Sequence, residues 1–264
     1  MTQTQRRKYL ITALAAENPA YAGMLISEQE DAQKHLLRAL FNLRAPDAAE
    51  TCFLQIQDAY LQQELREKGV TDLSALTPLC DCIYLWRGDI TTLRVDGIVN
   101  AANSGMLGCF IPGHSCIDNA IHTYAGVQLR LACARLMRDQ GYEEPVGRAK
   151  ITPAFNLPSR YVLHTVGPLV SGALTNEDAR QLAGCYRSCL ELAAAHGLHS
   201  LAFCCISTGE FHFPPQPAAA IAIDTVRAFL TRRQYPMKVI FNVFKSEDEA
   251  IYRALLAADN AVKA

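Results

Sequence analysis

The stretch Gly97-Ile98-Val99-Asn100-Ala101-Ala102-Asn103 places two amide side chains three residues apart at the end of a short apolar run. The apolar part is typical of a strand that is buried on both faces. The two alanines would let a ligand approach the backbone closely, although an asparagine at a strand end can also simply cap a loop. The stretch therefore predicts the carboxyl end of a buried strand and suggests a binding site there.

Five further apolar runs extend this strand into a sheet. They lie at residues 83–86, 149–152, 161–164, 201–206 and 238–243, and helical patterns occupy about 117–138, 178–196, 216–232 and 247–257. Strands of this kind need helices on both faces. The sequence therefore predicts an α/β fold with a three-layer α/β/α architecture, in which ligands bind at the carboxyl ends of the strands.

Residues 1–80 carry a different pattern, in which apolar side chains recur every three or four positions. This pattern predicts three or four short helices. Ser27 and Glu30 have the form of a capping box, Pro46 interrupts the second helix and Gly69 closes the third. No charged or titratable cluster stands out. We therefore expect a helical N-terminal extension (1–80) that packs on the main domain (81–264) and needs no function of its own.

Composition and charge exclude several classes of partner. The chain has 25 basic and 26 acidic residues and no basic stripe, so we expect no binding to nucleic acid or anionic membranes. No apolar run is long enough to span a membrane, and the stretch after the first residues is too short for a signal peptide. We expect a cytoplasmic protein with reduced cysteines. The cysteines in helical, core-like settings are Cys133, Cys185, Cys189, Cys204 and Cys205.

Two more strand ends carry chemically interesting residues. Trp86-Arg87-Gly88-Asp89-Ile90-Thr91 would present an acidic side chain, although a Gly-Asp pair is usually only a turn. Ile206-Ser207-Thr208-Gly209-Glu210-Phe211-His212-Phe213-Pro214 follows a buried strand and leads into a helix near Pro217. Its small residues would let successive backbone N–H groups form a nest for a diphosphate. An ordinary strand-to-helix turn is the alternative.

These motifs, in this order, together resemble a macrodomain, the ADP-ribose-binding fold. The resemblance covers about Cys82 to Ala258. It rests on Gly88-Asp89-Ile90, Asn100-Ala101-Ala102-Asn103, Tyr161-Val162-Leu163-His164-Thr165-Val166-Gly167-Pro168 and Ile206-Ser207-Thr208-Gly209. It implies a mixed central sheet with an ADP-ribose pocket at the strand ends.

The resemblance also implies roles for single residues. Asp89 would hydrogen-bond the adenine amino group, and Ile90 would offer a backbone N–H to the same ring. Asn103 would hold the distal ribose. Phe244, just past the last strand, is placed to flank the adenine, although an aromatic side chain there could equally belong to the core. The residues implied to wrap the diphosphate are Ser207, Thr208, Gly209, Glu210 and Phe211.

The loop after the two amides reads Gly108-Cys109-Phe110-Ile111-Pro112-Gly113-His114-Ser115-Cys116. Two thiolates and an imidazole within eight residues can wrap one tetrahedral ion, and such soft donors favour zinc. Three ligands leave a fourth position open, which is typical of a catalytic zinc site. A fourth ligand from Cys80, Cys82, Cys133 or His122 would close the site, and a loop without metal is the other alternative. The predicted zinc ligands are Cys109, His114 and Cys116.

This loop and the helical extension together resemble the zinc-containing subgroup of microbial macrodomains, which is often encoded beside a sirtuin-type ADP-ribosyltransferase. The resemblance implies a Zn²⁺ cofactor and hydrolysis of mono-ADP-ribose from modified protein side chains, with Asp or Glu as the expected linkage. Asp118 matches an acidic residue that is proposed to orient or activate the attacking water. The alternative is a carboxylate that only stabilises the start of a helix.

The expected mechanism combines the metal with Asp118 and Asn103. Zinc would either lower the pKa of a bound water or align the distal ribose, and a site neutralised by two thiolates favours alignment. Asp118 would take or steer the proton while Asn103 fixes the ribose. We expect His122 and His164 to be scaffold residues and regard His212 as a weaker candidate for ligand contact.

Two other kinds of protein fit the same motifs. One is a non-catalytic reader of ADP-ribosylated partners in which zinc only shapes the loop. The other is a phosphatase or deacetylase that acts on ADP-ribose metabolites. An open coordination position beside Asp118 would favour the hydrolase, whereas a closed four-ligand zinc would favour the reader.

Overall fold

The computed structural model describes residues 1–21, 23–80, 82–233 and 235–262, and within these ranges the chain forms eight α-helices and eight strands. The helices are α1 (Gln3–Ala16), α2 (Glu30–Leu43), α3 (Thr51–Lys68), α4 (Ile117–Ala125), α5 (Val127–Gln140), α6 (Asn176–Ala195), α7 (Pro215–Arg233) and α8 (Ser246–Val262). The strands are β1 (Thr71–Asp72), β2 (Ile83–Arg87), β3 (Leu93–Arg94), β4 (Gly97–Ala102), β5 (Ala149–Pro153), β6 (Tyr161–Val166), β7 (Ser200–Phe203) and β8 (Lys238–Val243).

Six strands form the central sheet in the order β2-β8-β7-β4-β6-β5. Every neighbouring pair is parallel except β5 and β6, so the sheet is mixed. The middle strands are buried over almost their whole length, as their continuous apolar runs predict. Helices flank the sheet, with α4 packed on α5 and α7 packed between α6 and α8. The predicted three-layer α/β/α architecture is confirmed.

The N-terminal extension has an apolar core of its own. Side chains of α1, α2 and α3 form this second cluster, which includes Leu10, Leu37 and Tyr60. Leu73 and Leu76 pack instead against the main core. The predicted domain boundary falls at Asp81, which lies outside the described residues, and it stays a prediction.

Two details of the extension differ from the sequence-based expectation, and a third agrees with it. The proposed capping box at Ser27 is wrong, because α2 begins only at Glu30 and Ser27 Oγ instead accepts a hydrogen bond from Gln29 N. A buried charge is the second difference, because no charged or titratable cluster stands out in the sequence of the extension. Arg7 is buried, where it donates to Gln33 Oε1 (2.9 Å) and contacts Glu30 Oε1 (3.2 Å). The predicted helix end at Gly69 is confirmed, with a φ of 84°.

The single helix predicted over 117–138 is two helices. Gly126, with a φ of 93°, separates α4 from α5. A Cβ atom there would lie 2.7 Å from Gln57 Nε2, so the break also lets α3 approach closely. The break leaves α4 as a short helix that begins just after the Cys-His-Cys loop.

Other expectations concern cysteines and membranes. Cys133, Cys185, Cys189 and Cys204 are buried as predicted, whereas Cys205 is only partly buried. None of the helices in the described ranges is long and apolar enough to cross a membrane.

Candidate active site

Four parallel strands deliver the predicted site residues to one edge of the sheet. β2, β8, β7 and β4 are neighbours and run in the same direction, so their carboxyl ends lie side by side. Asp89 follows β2, Asn103 follows β4, Ser207 follows β7 and Phe244 follows β8. The topology therefore brings motifs that are up to 155 residues apart in the chain to a common surface.

At the end of β2, the Asp89 carboxylate is fixed by its neighbours. Its Oδ1 accepts from Thr91 N (3.0 Å) and Thr91 Oγ1 (2.6 Å), and its Oδ2 lies 3.2 Å from Lys68 Nζ. Burial alone would raise the pKa of Asp89, but the hydrogen bonds from Thr91 and the charge of Lys68 outweigh it and lower the pKa. The carboxylate is thus ionised and has acceptor capacity for an amino group.

Phe244 is an exposed residue. Its relative accessibility is 79%, so the structure removes the alternative in which this side chain belongs to the core. An aromatic ring that is left in solvent at the end of β8 can stack on a flat ligand. Ile90, in contrast, is buried, so only its backbone is suited to contact a ligand.

Residues 207–211 form a tight loop that hydrogen-bonds to itself. Phe213 N donates to Ser207 O (2.9 Å) and His212 N donates to Gly209 O (3.0 Å). Ser207 and His212 both have positive φ values, of 64° and 55°. Within the described residues, the N–H groups of Gly209, Glu210 and Phe211 make no hydrogen bond. Three unpaired N–H groups on one small loop are suited to bind an anion.

Gly167, from the segment after β6, lies directly against this loop. A Cβ atom at that position would be 2.0 Å from Ser207 Oγ and 2.9 Å from Ile206 Cγ2. Only glycine allows the two segments to approach so closely. The motif that ends at Gly167-Pro168 therefore supports the shape of the loop that begins at Ser207.

Asp118 is buried in the first turn of α4 and is held by two amides. Asn100 Nδ2 donates to its Oδ1 (2.8 Å), and Asn103 Nδ2 lies 3.4 Å from its Oδ2. Burial raises the pKa of Asp118 to about 6, against the opposing effects of the Asn100 hydrogen bond and the Arg130 charge. A buried carboxyl group whose pKa is raised towards neutrality is a candidate for proton transfer.

The neighbouring histidines are neutral and enclosed. Burial lowers the pKa of His164 to about 3 and that of His122 well below its usual value. His164 Nδ1 faces Asn100 Nδ2 (3.2 Å) and its Nε2 faces Thr152 Oγ1 (2.9 Å), so both ring nitrogens have partners. These contacts agree with a scaffold role for His164.

The three predicted metal ligands converge. Cys109 Sγ lies 3.4 Å from His114 Nδ1, and the donor atoms of Cys109, His114 and Cys116 all lie within 4.8 Å of one another. A tetrahedral zinc ion would place a sulfur and a nitrogen ligand roughly 3.5 Å apart. Burial raises the pKa of the Cys116 thiol to about 11, and a bound cation would lower it. The donor set and its spacing fit zinc.

No fourth side chain completes this group among the residues that the structure describes. Cys133 and His122 belong to a separate buried group with His164, and neither Cys80 nor Cys82 joins the Cys-His-Cys group. The other ring nitrogen of His114 faces Glu210 Oε1 at 3.6 Å. A carboxylate in that position orients a metal-ligating imidazole. Glu210 thus connects the diphosphate loop to the Cys-His-Cys loop.

Arg130 is a part of the site that the sequence analysis missed. It is buried in α5, and its guanidinium carbon lies 4.4 Å from the centre of the Phe110 ring. It also donates hydrogen bonds to the backbone oxygens of Phe41 and Arg44. The one signal in the sequence is its spacing, since it lies one helical turn before the core residue Cys133.

Comparison with known proteins agrees with this arrangement. The sequence profile of the family described as Macro domain matches residues 99–222. A Treponema medium protein named Protein-ADP-ribose hydrolase is 57% identical, and the alignment covers 97% of this chain and 100% of that protein. A Staphylococcus aureus protein of the same name is 45% identical, with 96% of each chain covered. These relatives include the helical extension.

Two further similarities concern a longer protein and a solved structure. A Fusarium oxysporum f. sp. cubense protein, named probable bifunctional ADP-ribose hydrolase/ADP-ribosyltransferase, is 41% identical over 91% of this chain and 44% of its own length. A mutant Oceanobacillus iheyensis macrodomain, solved with ADPR, is 37% identical with a TM-score of 0.63, covering 68% of this chain and 94% of that one. With this sheet order, these strand-end residues and relatives that align over nearly the whole length, the chain belongs to the macrodomain family.

Proposed function

We propose that the protein is a zinc-dependent hydrolase that removes mono-ADP-ribose from Asp or Glu side chains of modified proteins. The observation that carries this proposal is the buried carboxylate of Asp118, held by Asn100 and Asn103 beside three converging zinc donors. The relatives named Protein-ADP-ribose hydrolase, at 57% and 45% identity, support hydrolysis.

Binding of the ADP-ribose moiety uses groups that are remote from the reacting bond. Asp89 accepts from the adenine amino group, Ile90 contributes a backbone N–H to the same ring, and Phe244 stacks on it. The free N–H groups of residues 209–211 bind the diphosphate. Binding energy from such remote contacts can position the distal ribose for reaction.

Cys109, His114 and Cys116 would hold a zinc ion. When bound, zinc would supply a Lewis acid that polarises a ribose hydroxyl or a water molecule. Because two thiolates neutralise its charge, we favour alignment of the ribose over strong activation of water. Glu210 Oε1 lies 3.6 Å from His114 Nε2, and His114 Nδ1, which faces Cys109 Sγ, is the nitrogen that would bind the metal.

Asp118 acts as the general base. With a pKa of about 6, its carboxylate is ionised at neutral pH and can still accept a proton from an attacking water. Asn100 and Asn103 fix the two carboxylate oxygens, and Asn103 also contacts the ribose. The water oxygen forms a bond to the anomeric carbon while the bond from that carbon to the acyl oxygen breaks.

An Asp or Glu linkage suits this arrangement of groups. The leaving group is then a carboxylate, which departs without a proton. The site therefore needs one base, and Asp118 is the carboxylate that the fold buries beside Asn103. An amine or alcohol leaving group would need an acid as well.

We also propose that the substrate is produced by an ADP-ribosyltransferase of the sirtuin type. Fusion of a hydrolase to a transferase in the name of the Fusarium relative supports a link between the two activities. The resemblance of the Cys-His-Cys loop to the zinc-containing subgroup supports the sirtuin type.

The experiment is to incubate the purified protein with mono-ADP-ribosylated proteins of defined linkage: acyl, serine and arginine. We expect release of ADP-ribose from the acyl-linked substrate and much slower release from the other two. A protein that binds ADP-ribose tightly and releases none would be a reader. Equal rates on all three linkages would contradict the Asp or Glu assignment.

A further inference from the structure

Helix α2 of the N-terminal extension lies against the Cys-His-Cys loop. Arg38, in the middle of α2, donates from Nη2 to His114 O (2.9 Å). The same guanidinium group donates from Nη2 and Nε to Asn119 Oδ1, at 3.0 and 3.3 Å. One planar side chain of the extension thus fixes the backbone of a predicted zinc ligand and a residue of α4.

Asn42 makes a second set of contacts one turn further along α2. It is fully buried, its Oδ1 accepts from Gly113 N (2.9 Å), and its Nδ2 donates to Thr123 Oγ1 (3.0 Å). Gly113 has a φ of 66°, so this part of the loop adopts a backbone conformation that needs support. Both ends of the Asn42 amide are used, and none of its partners belongs to the extension.

Asn119 passes the contact on to two more parts of the loop. Its Nδ2 donates to Ile111 O (3.1 Å), and its backbone N–H points to Cys116 Sγ (3.4 Å). Residues 111, 113 and 114 each therefore have a backbone group held by α2, either directly or through Asn119. The loop forms neither helix nor strand, and these bonds act together with its internal bond from His114 N to Ile111 O (3.2 Å) to fix its conformation.

The main domain holds α2 in return. Arg130 donates to the oxygens of Phe41 and Arg44, at the C-terminal end of α2, where a positive charge is favourable. The ring of Phe110, which follows Cys109, packs on the same guanidinium group at 4.4 Å. The loop, α2 and α5 therefore form one connected set of contacts.

We infer that α2 is part of the zinc site and that Arg38 and Asn42 are positioning residues, which hold residues 111–114 so that the three donors converge. This inference rests on the proposed zinc binding. Residues that orient metal ligands typically change metal affinity by about 10- to 100-fold when they are removed. The inference gives the extension a function, which the sequence analysis did not expect.

The test is to measure metal affinity in Arg38→Ala and Asn42→Ala by competition with a chromophoric chelator. We expect zinc affinity to fall about 10-fold or more in both. Lys34→Ala is the matched control, because Lys34 lies on the same helix and forms an ion pair with the exposed Glu30 (3.0 Å). It should bind zinc like the wild type. Arg38→Lys, which keeps the charge but loses the planar fork, should resemble Arg38→Ala.

Two further readouts separate positioning from general damage. Cobalt substitution gives absorption bands that report the ligand geometry, and we expect these bands to change in both α2 variants. ADP-ribose affinity should change little, because the adenine and diphosphate contacts lie on other loops. If Asn42→Ala does not fold, Arg38→Ala and Arg38→Lys still test the inference.

The outcomes distinguish the inference from the proposed function. A wild type that binds zinc, together with α2 variants that bind it as tightly, would overturn the inference and leave the zinc site intact. A folded wild type that binds no zinc would overturn both. Weaker zinc binding in both α2 variants, with Lys34→Ala unchanged, would support both.

Discussion

The two loops at the carboxyl edge of the sheet are built in opposite ways. Residues 207–211 offer backbone N–H groups, and bonds within residues 207–213, such as Phe213 N to Ser207 O (2.9 Å), hold much of the shape of this loop. Residues 109–116 offer side-chain donors, and α2 holds their backbone from outside. Substitution of a side chain should therefore lower the rate of ADP-ribose release more than it weakens the binding of ADP-ribose.

The largest expected effect comes from Asp118. Asp118→Ala removes the proposed base, and we expect kcat for ADP-ribose release to fall by about 10³-fold, since general base catalysis contributes about 10²- to 10⁴-fold. The dissociation constant for ADP-ribose should change little. Single-turnover release and calorimetric titration measure the two quantities.

The matched control for this variant is Glu177→Ala. Glu177 also lies in the first turn of a helix, α6, but it is exposed. A role limited to the helix dipole would make the two variants alike. Full activity in a folded Asp118→Ala protein would remove Asp118 from the mechanism.

Removal of the metal should have the second largest effect. We expect chelation of zinc, or Cys109→Ala, to lower kcat by about 100-fold, because a bound metal contributes several kcal/mol to the stabilisation of developing charge. Zn²⁺ should restore the chelated wild type, whereas Mg²⁺ should not, because thiolates are soft ligands.

Cys52→Ala is the control for the thiol substitution, because Cys52 is an exposed free cysteine far from the site in sequence. It should retain zinc and activity. Undiminished turnover by a protein shown to contain no zinc would contradict the metal dependence and leave the hydrolase proposal standing.

The buried carboxylate also predicts how stability depends on pH. The pKa of Asp118 is about 6 in the folded protein against an ordinary value of 3.8, so folding favours the protonated form. The protonated carboxyl group of Asp118 therefore makes its full contribution to stability below about pH 4. This contribution is lost as the pH rises through about 6. Two pK units correspond to about 3 kcal/mol at most.

Asp118→Asn should remove this dependence. In the metal-free protein at pH 7.5, we expect Asp118→Asn to raise the free energy of unfolding by about 1–3 kcal/mol over the wild type. The two proteins should converge near pH 4. Urea unfolding across this range is the measurement, and parallel curves at all pH values would show that Asp118 is not buried as described.

The same contrast between the loops separates what the sequence could predict from what it could not. The zinc donors Cys109, His114 and Cys116 lie within eight residues, so their spacing alone indicates a common ion. The strands follow from continuous apolar runs, which are also local. Such features can be read before the chain is folded.

The contacts that support the zinc loop are not local. Arg38 and His114 are 76 residues apart, Asn42 and Gly113 are 71 apart, and Phe41 and Arg130 are 89 apart. No spacing rule connects such residues, and Arg38 and Asn42 resemble ordinary polar positions of a surface helix. The burial of Asp118 is likewise a product of packing, so its raised pKa could not be predicted from a helix-start position.

The smallest expected effect lies at the adenine end. Asp89→Asn keeps the size of the side chain and one acceptor oxygen but removes the charge, and we expect the dissociation constant for ADP-ribose to rise about 10-fold, as for the loss of about 1.5 kcal/mol from a charged hydrogen bond. The rate at saturating substrate should stay the same, because Asp89 does not contact the reacting bond. Asp72→Asn is the control, since Asp72 pairs with Arg94 at the surface (3.0 Å). A fall in kcat equal to the fall in kcat/KM would show that the two ends of the pocket are not independent, and would break the division between a backbone-built binding loop and a side-chain-built reacting loop.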